Sequence, residues 1–261
     1  MPEPKYSGNK MKILLTNDDG FDAVGLRELD SVLSRAGHEV WVCAPSGQRS
    51  ASSHAIHLHS PVEVKKLSER HYACSGFPAD CVLYAVMGAV PMGRPDVVIS
   101  GINNGYNVST DLVYSGTAGA AAEGCVRGYA AIAVSCAGNA FPDAAAFTLK
   151  YLETFTEICP PGCYININVP EGSKGRWTVC TLGDVSYSDR LEEHSVADHY
   201  IITGVEKPFM TEPYDRKTDY SAVNDSRTIA VSAVRIIPQV DPACQKELEK
   251  LCQLDGAISF C

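Results

Sequence analysis

The sequence has no apolar run approaching the roughly 20 residues that a membrane-spanning helix needs. It also has no Cys-x-x-Cys pair and no histidine spacing typical of a zinc site, and its 11 cysteines are scattered. Basic residues are in the minority, with 22 Lys and Arg against 31 Asp and Glu and a net charge of −9. These absences argue against a membrane protein, a structural zinc site and a general binder of nucleic-acid backbones.

The first ten residues lack the apolar core of a signal peptide. We therefore expect residues 1–10 to be a disordered leader and the protein to be cytoplasmic, with its cysteines as free thiols. The 261 residues are 45% hydrophobic and 20% charged, which is ordinary for a globular protein. This length allows one large α/β domain, or one domain with an appendage.

Short β-branched runs alternate with segments of helical periodicity from residue 11 to about residue 170. Five strands and three long helices are predicted: Lys12–Thr16, Glu39–Ala44, Asp96–Ser100, Ala130–Ser135 and Tyr164–Val169, with helices at Gly25–Arg35, Asp80–Gly88 and Asp143–Glu157. Such alternation is typical of a parallel sheet with helices on both faces. The fold class is therefore predicted as α/β, with a Rossmann-like three-layer core over residues 11–170.

Other segments fit this alternation less simply. Ile56–Val64 and Arg70–Cys74 are expected to pair as strands at the sheet margin, with His57 and His59 on a solvated strand face. After Pro170 the sequence becomes polar and irregular. Strand-like segments remain, followed by a closing helix: Trp177–Leu182, His199–Gly204, Thr228–Val234 and Val240–Leu254. We interpret residues 171–261 as a C-terminal β/α extension that packs on a neighbouring subunit, and not as an independent domain.

Polar side chains follow three of the predicted strands. Asp18 and Asp19 follow the first, Ser50 lies in the hydroxyl-rich loop after the second, and Asn103 follows the strand that ends at Ser100. Ligands of open parallel sheets bind at the carboxyl ends of the strands. Carboxylate, hydroxyl and amide oxygens suit Mg²⁺ or Mn²⁺ better than Zn²⁺. The alternative is that Asn17–Gly20 is an ordinary turn.

Ser115-Gly116-Thr117 begins another predicted helix and supplies free backbone N–H groups and two hydroxyls. A helix N-terminus is a ready anion site, so a metal beside it makes a phosphate the simplest substrate. A divalent cation would polarise a phosphoryl oxygen and lower the pKa of a bound water. Plain helix capping is the alternative interpretation.

Five motifs occur in one order along the chain: Ile13-Leu14-Leu15-Thr16-Asn17-Asp18-Asp19-Gly20, Arg49-Ser50, Gly76-Phe77-Pro78-Ala79-Asp80-Cys81, Ser100-Gly101-Ile102-Asn103-Asn104-Gly105-Tyr106-Asn107 and Tyr114-Ser115-Gly116-Thr117. Together they resemble the SurE survival-protein family, whose members are metal-dependent nucleoside-monophosphate phosphatases with side activities on other phosphomonoesters and short polyphosphate. The similarity runs over about residues 11–136, and weakly to Thr218-Asp219-Tyr220.

The resemblance implies functional roles for eight residues. It makes Asp18, Asp19, Ser50 and Asn103 the ligands of one Mg²⁺ or Mn²⁺ per subunit. Ser52 and Ser53 lie close to Ser50 in sequence and offer the same kind of hydroxyl ligand. It places Asn107, Ser115, Gly116 and Thr117 around the phosphate. It also implies a homodimer or homotetramer that exchanges its C-terminal arm. Phe77 stands where the family usually has threonine, and could alter the pocket wall.

The expected reaction is hydrolysis of nucleoside 5'-monophosphates by metal-activated water, with Asp18 and Asp19 as catalytic residues and no DNA or membrane partner. Nucleoside 3'-monophosphates and short polyphosphate are further candidate substrates. One alternative is a non-catalytic metal- or nucleotide-binding sensor or assembly module. A second alternative is an enzyme with an aspartyl-phosphate intermediate, which needs two aspartates separated by one residue, a pattern that the adjacent Asp18 and Asp19 fit poorly. A third is a sugar-nucleotide transferase, which commonly has two such sheets, whereas 261 residues supply one.

Overall fold

The structure is a computed structural model that describes residues 9–196, 198–204, 206–208, 217–238, 242, 244–246, 248 and 250. Its strands are β1 (Lys12–Thr16), β2 (Glu39–Pro45), β3 (Val64–Lys66), β4 (His71–Cys74), β5 (Val97–Asn104), β6 (Ala130–Cys136), β7 (Cys163–Val169), β8 (Trp177–Val179), β9 (Val185–Tyr187), β10 (Arg190–Glu193), β11 (Tyr200–Thr203), β12 (Glu206–Pro208) and β13 (Ile229–Arg235). Its α-helices are α1 (Val24–Arg35), α2 (Pro78–Tyr84), α3 (Gly116–Val126), α4 (Phe141–Ile158) and α5 (Asp219–Asn224). A short π-helical turn (Ala85–Ala89) and a 3-10 helix (Ser109–Val113) complete the described elements.

Nine strands form one mixed sheet, in the order β3-β4-β2-β1-β5-β6-β7-β13-β8. The six strands from β4 to β7 in this order run parallel to one another. β3 is antiparallel to β4, and β13 is antiparallel to β7. The predicted Rossmann-like α/β architecture is thus confirmed. Two small antiparallel ribbons, β10–β11 and β9–β12, lie outside this sheet.

The two sheet faces are covered by different helices, as expected for a three-layer α/β fold. Ile13 and Leu15 of β1 join the hydrophobic cluster that includes α1 and α4. Leu14 points to the opposite face and joins the cluster that includes α2 and Ala120 of α3. This period-two alternation buries both faces of β1, because each face of a parallel sheet is packed against helices. None of the helices in the described part of the chain is long and apolar enough to cross a membrane.

The expected strand over Ile56–Val64 is wrong for most of its length, since only Val64 belongs to a strand. The strand predicted at Arg70–Cys74 is present as β4. Beyond Pro170, β8, β11 and β13 correspond to the three strand-like segments, and β13 completes the same sheet as the parallel strands. Most of the leader at residues 1–10 lies outside the described residues, as does much of the helix expected at Val240–Leu254.

Candidate active site

A cleft of ≈ 560 Å³ lies at the carboxyl ends of the central parallel strands. Six of the eight predicted site residues line it: Asp18, Asp19, Ser50, Asn103, Asn107 and Ser115. Gly116 and Thr117 do not line it, although they directly follow Ser115. The parallel topology explains this convergence, because the loops after β1, β2 and β5 all emerge at one edge of the sheet.

Asp18 is the buried carboxylate of the site, with only 4% of its surface exposed. Its Oδ1 accepts a 2.6 Å hydrogen bond from the Thr117 hydroxyl, and its backbone oxygen accepts one from the Arg49 N–H at 2.7 Å. Burial raises the pKa of Asp18 above its ordinary value; the Thr117 bond lowers it in part, and the charge of Asp19 raises it again. The Thr117 hydroxyl therefore orients Asp18 in this structure.

Asp19 and Asn103 are fixed by the end of β5. Asp19 Oδ2 accepts a hydrogen bond from the backbone N–H of Asn104 at 3.0 Å. The Asn103 amide nitrogen donates to the Gly105 carbonyl at 2.9 Å, which leaves the amide oxygen as an acceptor for a ligand. The register of β5 shifts against β6 between Ser100 and Asn103. A side chain at Gly101 would lie 2.2 Å from the Val134 oxygen, so this irregular strand end depends on glycine.

Ser50 belongs to the loop after β2, and its hydroxyl oxygen is 3.1 Å from the Gln48 amide nitrogen. The neighbouring serines are placed differently. The Ser53 hydroxyl donates to the Val113 carbonyl at 2.7 Å, and the Ser52 hydroxyl is buried against Gly116 with no hydrogen-bond partner in the described structure. Of these three hydroxyls, Ser50 is the one that lines the cleft.

Two histidine–carboxylate pairs fasten this loop to the helices of the same face. His54 Nε2 lies 2.8 Å from Glu123 of α3, and His57 Nδ1 lies 2.6 Å from Asp80 of α2. Asp80 is fully buried and also accepts the backbone N–H of His57 and of Phe77. The expectation that His57 lies on a solvated strand face is therefore wrong.

Phe77 lies away from the cleft. Its ring stacks on the His57 ring at a centroid distance of 4.8 Å, and the Arg49 guanidinium lies 5.9 Å from the centre of the Phe77 ring. Phe77 does not line the cleft, so the idea that it alters the pocket wall is also wrong. Its contacts instead support the loop that carries Ser50.

The start of α3 is packed tightly against the site. Ser115 is the N-cap residue, and its hydroxyl accepts the Ala118 N–H at 3.0 Å, so the capping interpretation holds for this side chain. A side chain at Gly116 would approach the Asp18 carboxylate to 3.0 Å, and one at Gly119 would lie 2.2 Å from the Ser53 carbonyl oxygen. Small residues therefore let α3 approach both Asp18 and the loop after β2 that carries Ser50 (the Ser50 loop).

Asn107 is held by a buried amide network. Its backbone N–H donates to Asn168 Oδ1, and its carbonyl accepts from the amide groups of Asn166 and Asn168, at 2.8–3.0 Å. Its side-chain nitrogen donates to the Ser135 hydroxyl at 2.9 Å. Strands β6 and β7 thus determine the position of a residue that follows β5.

The far wall of the cleft includes Tyr106, Asp111, Tyr114, Tyr187 and Asp189. Tyr106 and Tyr114 lie within the motifs that carry the family resemblance, whereas Asp111, Tyr187 and Asp189 were missed by the sequence interpretation. The Tyr187 hydroxyl donates to the Asp111 carboxylate. Burial raises the pKa of Asp111, and the Tyr187 bond opposes the shift. For the three missed residues, the weak similarity near Thr218-Asp219 was the sequence signal closest to this part of the site.

Asp219 supports this wall from outside the cleft. Its carboxylate accepts the backbone N–H and the hydroxyl of Ser109, each at 2.7 Å, and the Gly183 N–H at 3.1 Å. It thereby joins the 3-10 helix that carries Asp111 to the chain leading into β9. Asp219 is fully buried, so these bonds replace its lost hydration.

The donor set fits a hard divalent cation. No lysine, arginine or histidine within the described chain forms an ion pair with Asp18 or Asp19. The described lining of the cleft includes four aspartates and no basic side chain. A buried carboxylate beside a second one requires positive charge to be stable as an anion. Carboxylate, amide and hydroxyl oxygens are the donors that Mg²⁺ and Mn²⁺ prefer.

Comparison with known proteins assigns the family. A sequence model described as survival protein SurE matches residues 13–189. A protein named 5'-nucleotidase SurE from Desulforudis audaxviator is 38% identical over 238 residues, covering 87% of this chain and 92% of that protein. Another of that name, from Desulfitobacterium hafniense, is 41% identical over 227 residues, covering 82% and 87%. The crystal structure of the SurE protein from Aquifex aeolicus superposes with a TM-score of 0.76 at 28% identity, covering 94% of this chain and 99% of that one. The chain therefore belongs to the SurE family.

Proposed function

We propose that this protein is a 5'-nucleotidase, a phosphoric monoester hydrolase that converts nucleoside 5'-monophosphates to nucleosides and phosphate. The observation that carries the proposal is the pair Asp18 and Asp19 at the end of β1, without a basic partner among the described residues and beside the start of α3. The names of the relatives from Desulforudis audaxviator and Desulfitobacterium hafniense support the same activity.

Asp18, Asp19, Ser50 and Asn103 would hold one Mg²⁺ or Mn²⁺. When bound, the cation would offset the negative charge of the phosphoryl oxygens and lower the pKa of a water molecule bound to it. Asp19 is partly exposed and lines the cleft, so its carboxylate is available to take a proton from the attacking water. The Ser115 hydroxyl and the backbone amide of Gly116, together with Asn107, would stabilise the phosphoryl oxygens.

The test is an Asp19→Asn variant assayed with nucleoside 5'-monophosphates in Mn²⁺ or Mg²⁺. We expect phosphate release to fall by about 10²–10⁴-fold, because the substitution removes both a charge and a proton acceptor. We also expect wild-type activity to disappear with a chelator and to return with added Mn²⁺. The matched control is Asp22→Asn, an exposed carboxylate in the same segment that pairs with Arg27 outside the cleft.

Full activity in a well-folded Asp19→Asn protein would refute this role. A folded wild-type protein that binds Mn²⁺ and nucleotide but releases no phosphate would instead favour a binding module. A phospho-enzyme trapped at one aspartate would favour the covalent alternative.

We also propose that the protein is a homodimer or homotetramer with its C-terminal extension packed on a neighbouring subunit. The β10–β11 ribbon supports this assembly, because Leu191 and Ile202 on it are 67% and 72% exposed. Apolar side chains exposed together on a ribbon are typical of interaction surfaces.

A further inference from the structure

A second cavity, of ≈ 270 Å³, adjoins the active-site cleft. Tyr106 lines both cavities. The second cavity is bounded by the residues after β6 and β7 and by the turn between α5 and β13, including Gly138, Glu171, Asn224 and Arg227. Because β5, β6 and β7 are adjacent parallel strands, the second cavity lies at the same sheet edge as Asp18 and Asp19.

Two opposite charges face this cavity without pairing. Glu171 and Arg227 form no ion pair with each other or with any other residue that the structure describes. Both nevertheless act on the phenol of Tyr106, whose pKa is raised chiefly by burial; Arg227 lowers it and Glu171 raises it. A carboxylate and a guanidinium that lie on one small cavity, yet stay apart, leave room for a ligand between them.

The position of each charged group depends on its backbone. Gly138 has a φ of +63°, and a side chain there would lie 2.8 Å from Glu171 Oε2. The Glu171 carboxylate therefore lies directly over a glycine, where any other residue would displace it. Arg227 has a φ of +43°, a conformation that costs less for glycine or asparagine. Both positions are local backbone features that bring a charged side chain to the cavity.

We propose that this second cavity binds the base of the substrate nucleotide and selects guanine. The proposal rests on the function proposed above and specifies its substrate. The volume suits one fused ring system, being smaller than the 300–1,000 Å³ typical of sites for drug-sized ligands. With the phosphate at the metal site, the sugar would pass Tyr106, which stands between the two cavities.

Hydrogen-bonding chemistry favours guanine over adenine. Guanine carries two adjacent donors, N1–H and the N2 amino group, which the Glu171 carboxylate can accept together. It also carries the acceptors O6 and N7, to which an arginine donates in a bidentate pair. Adenine places an acceptor at N1, opposite a carboxylate that can only accept. Cytosine offers a single amino donor, and uracil offers one imide N–H, so each satisfies Glu171 incompletely.

The test compares kcat/KM for GMP, AMP, CMP, UMP and ribose 5-phosphate with Mn²⁺, in wild type, Glu171→Gln and Arg227→Ala. We expect wild type to prefer GMP over AMP by about 10- to 100-fold, mainly through KM, and Arg227→Ala to lose about that factor on GMP. Glutamine presents one acceptor and one donor, which match N6 and N1 of adenine. Glu171→Gln should therefore lower the GMP-to-AMP ratio by at least 10-fold. Ribose 5-phosphate, which has no base, should stay within about 2-fold in every variant.

Matched controls are Glu157→Gln on α4 and Arg235→Ala at the other end of β13, both exposed and outside the cavity. Binding of guanosine and adenosine to the metal-free protein, measured by calorimetry, gives a readout independent of catalysis. A wild-type protein that treats the four nucleotides alike would overturn the proposal, as would an equal loss on ribose 5-phosphate in the variants. If no phosphomonoester is hydrolysed, the proposed function fails, and the nucleoside binding still decides the base site.

Discussion

Asp18 combines deep burial with a negative charge that one hydroxyl and the chain's own backbone partly stabilise. The raised pKa means that the folded protein binds the Asp18 proton more tightly than the unfolded chain does. The metal-free protein therefore loses stability as the pH rises above the unfolded-state pKa of the carboxyl group. A bound cation reverses this penalty, since it stabilises the anion.

We predict that Asp18→Asn makes the metal-free protein more stable while removing its activity. In chelator at pH 7 we expect the free energy of unfolding to rise by about 1–3 kcal/mol, because a neutral amide replaces a buried charge that lacks a basic partner. Urea denaturation measures it. The gain should shrink as the pH falls, because protonation removes the charge of the wild-type carboxyl group, and Asp22→Asn should show no such gain. A less stable Asp18→Asn protein in chelator at pH 7 would contradict this account.

The proposed metal ligands could be predicted from sequence, whereas Asp111, Tyr187 and Asp189 on the opposite wall of the cleft could not. Asp18, Ser50 and Asn103 each follow a recognisable strand, so topology alone brings them to one edge. Tyr187 ends β9 and Asp189 follows it, and the path of the chain into β9 depends on tertiary contacts such as those of Asp219. The contact between Thr117 and Asp18 spans 99 residues, and nothing local to either residue signals it.

The packing of α3 shows how one helix can determine the position of a loop. A glycine within a helix, such as Gly119, normally destabilises the helix by about 1 kcal/mol relative to alanine. Here the backbone of Ser53 occupies the space in which a side chain would lie, at 2.2 Å from the added carbon. Backbone cannot rotate away, so strain outweighs the better helix propensity.

We predict that Gly119→Ala destabilises the protein by about 1–3 kcal/mol and weakens its activity, because the Ser50 loop must shift to accommodate the methyl group. Thermal or urea unfolding and nucleotidase assays measure the two effects. The matched control is Gly47→Ala in the loop after β2, where the added carbon meets nothing within 4 Å. Equal behaviour of the two variants would show that α3 can move away freely.

At the scale of elements, the periodic helices and the apolar strands were predictable, and the segment after β2 was not. Ile56–Val64 has a sequence suited to a strand, yet the backbone N–H of His57 donates to Asp80 instead of to a neighbouring strand. A fully buried carboxylate supplied by α2 determines the conformation there, and sequence patterns do not register such a partner. The closing strand β13 was predicted, but its place beside β7 was not, since an antiparallel neighbour leaves no periodic signal.

The whole described fold shares one sheet across the boundary at Pro170. β13 brings Ile229 and Val231 into the same hydrophobic cluster as β1 and α4. Part of the C-terminal extension therefore contributes to the hydrophobic core of residues 11–170, through the strand that begins at Ile229.

We predict that Ile229→Ala lowers the free energy of unfolding by about 2–5 kcal/mol, as expected for truncating a fully buried isoleucine. Unfolding should remain a single transition for fluorescence and circular dichroism alike, because one core is shared. Ile237→Ala, at a position that is 68% exposed, should change stability by no more than about 0.5 kcal/mol. Two separate transitions would instead mean that β13 unfolds independently of the parallel strands.

The two edge strands of the sheet, β3 and β8, differ in the chemistry of their exposed side chains. At one margin β3 has three residues, two of which are the exposed lysines Lys65 and Lys66, a combination that discourages pairing with another chain. At the other margin β8 is equally short but carries the exposed apolar residues Trp177 and Val179. Main-chain pairing with a foreign strand is therefore repelled on one side and tolerated on the other. Of the two margins of this sheet in the described part of the chain, we therefore expect β8 to be the one at which a sheet-extended aggregate begins.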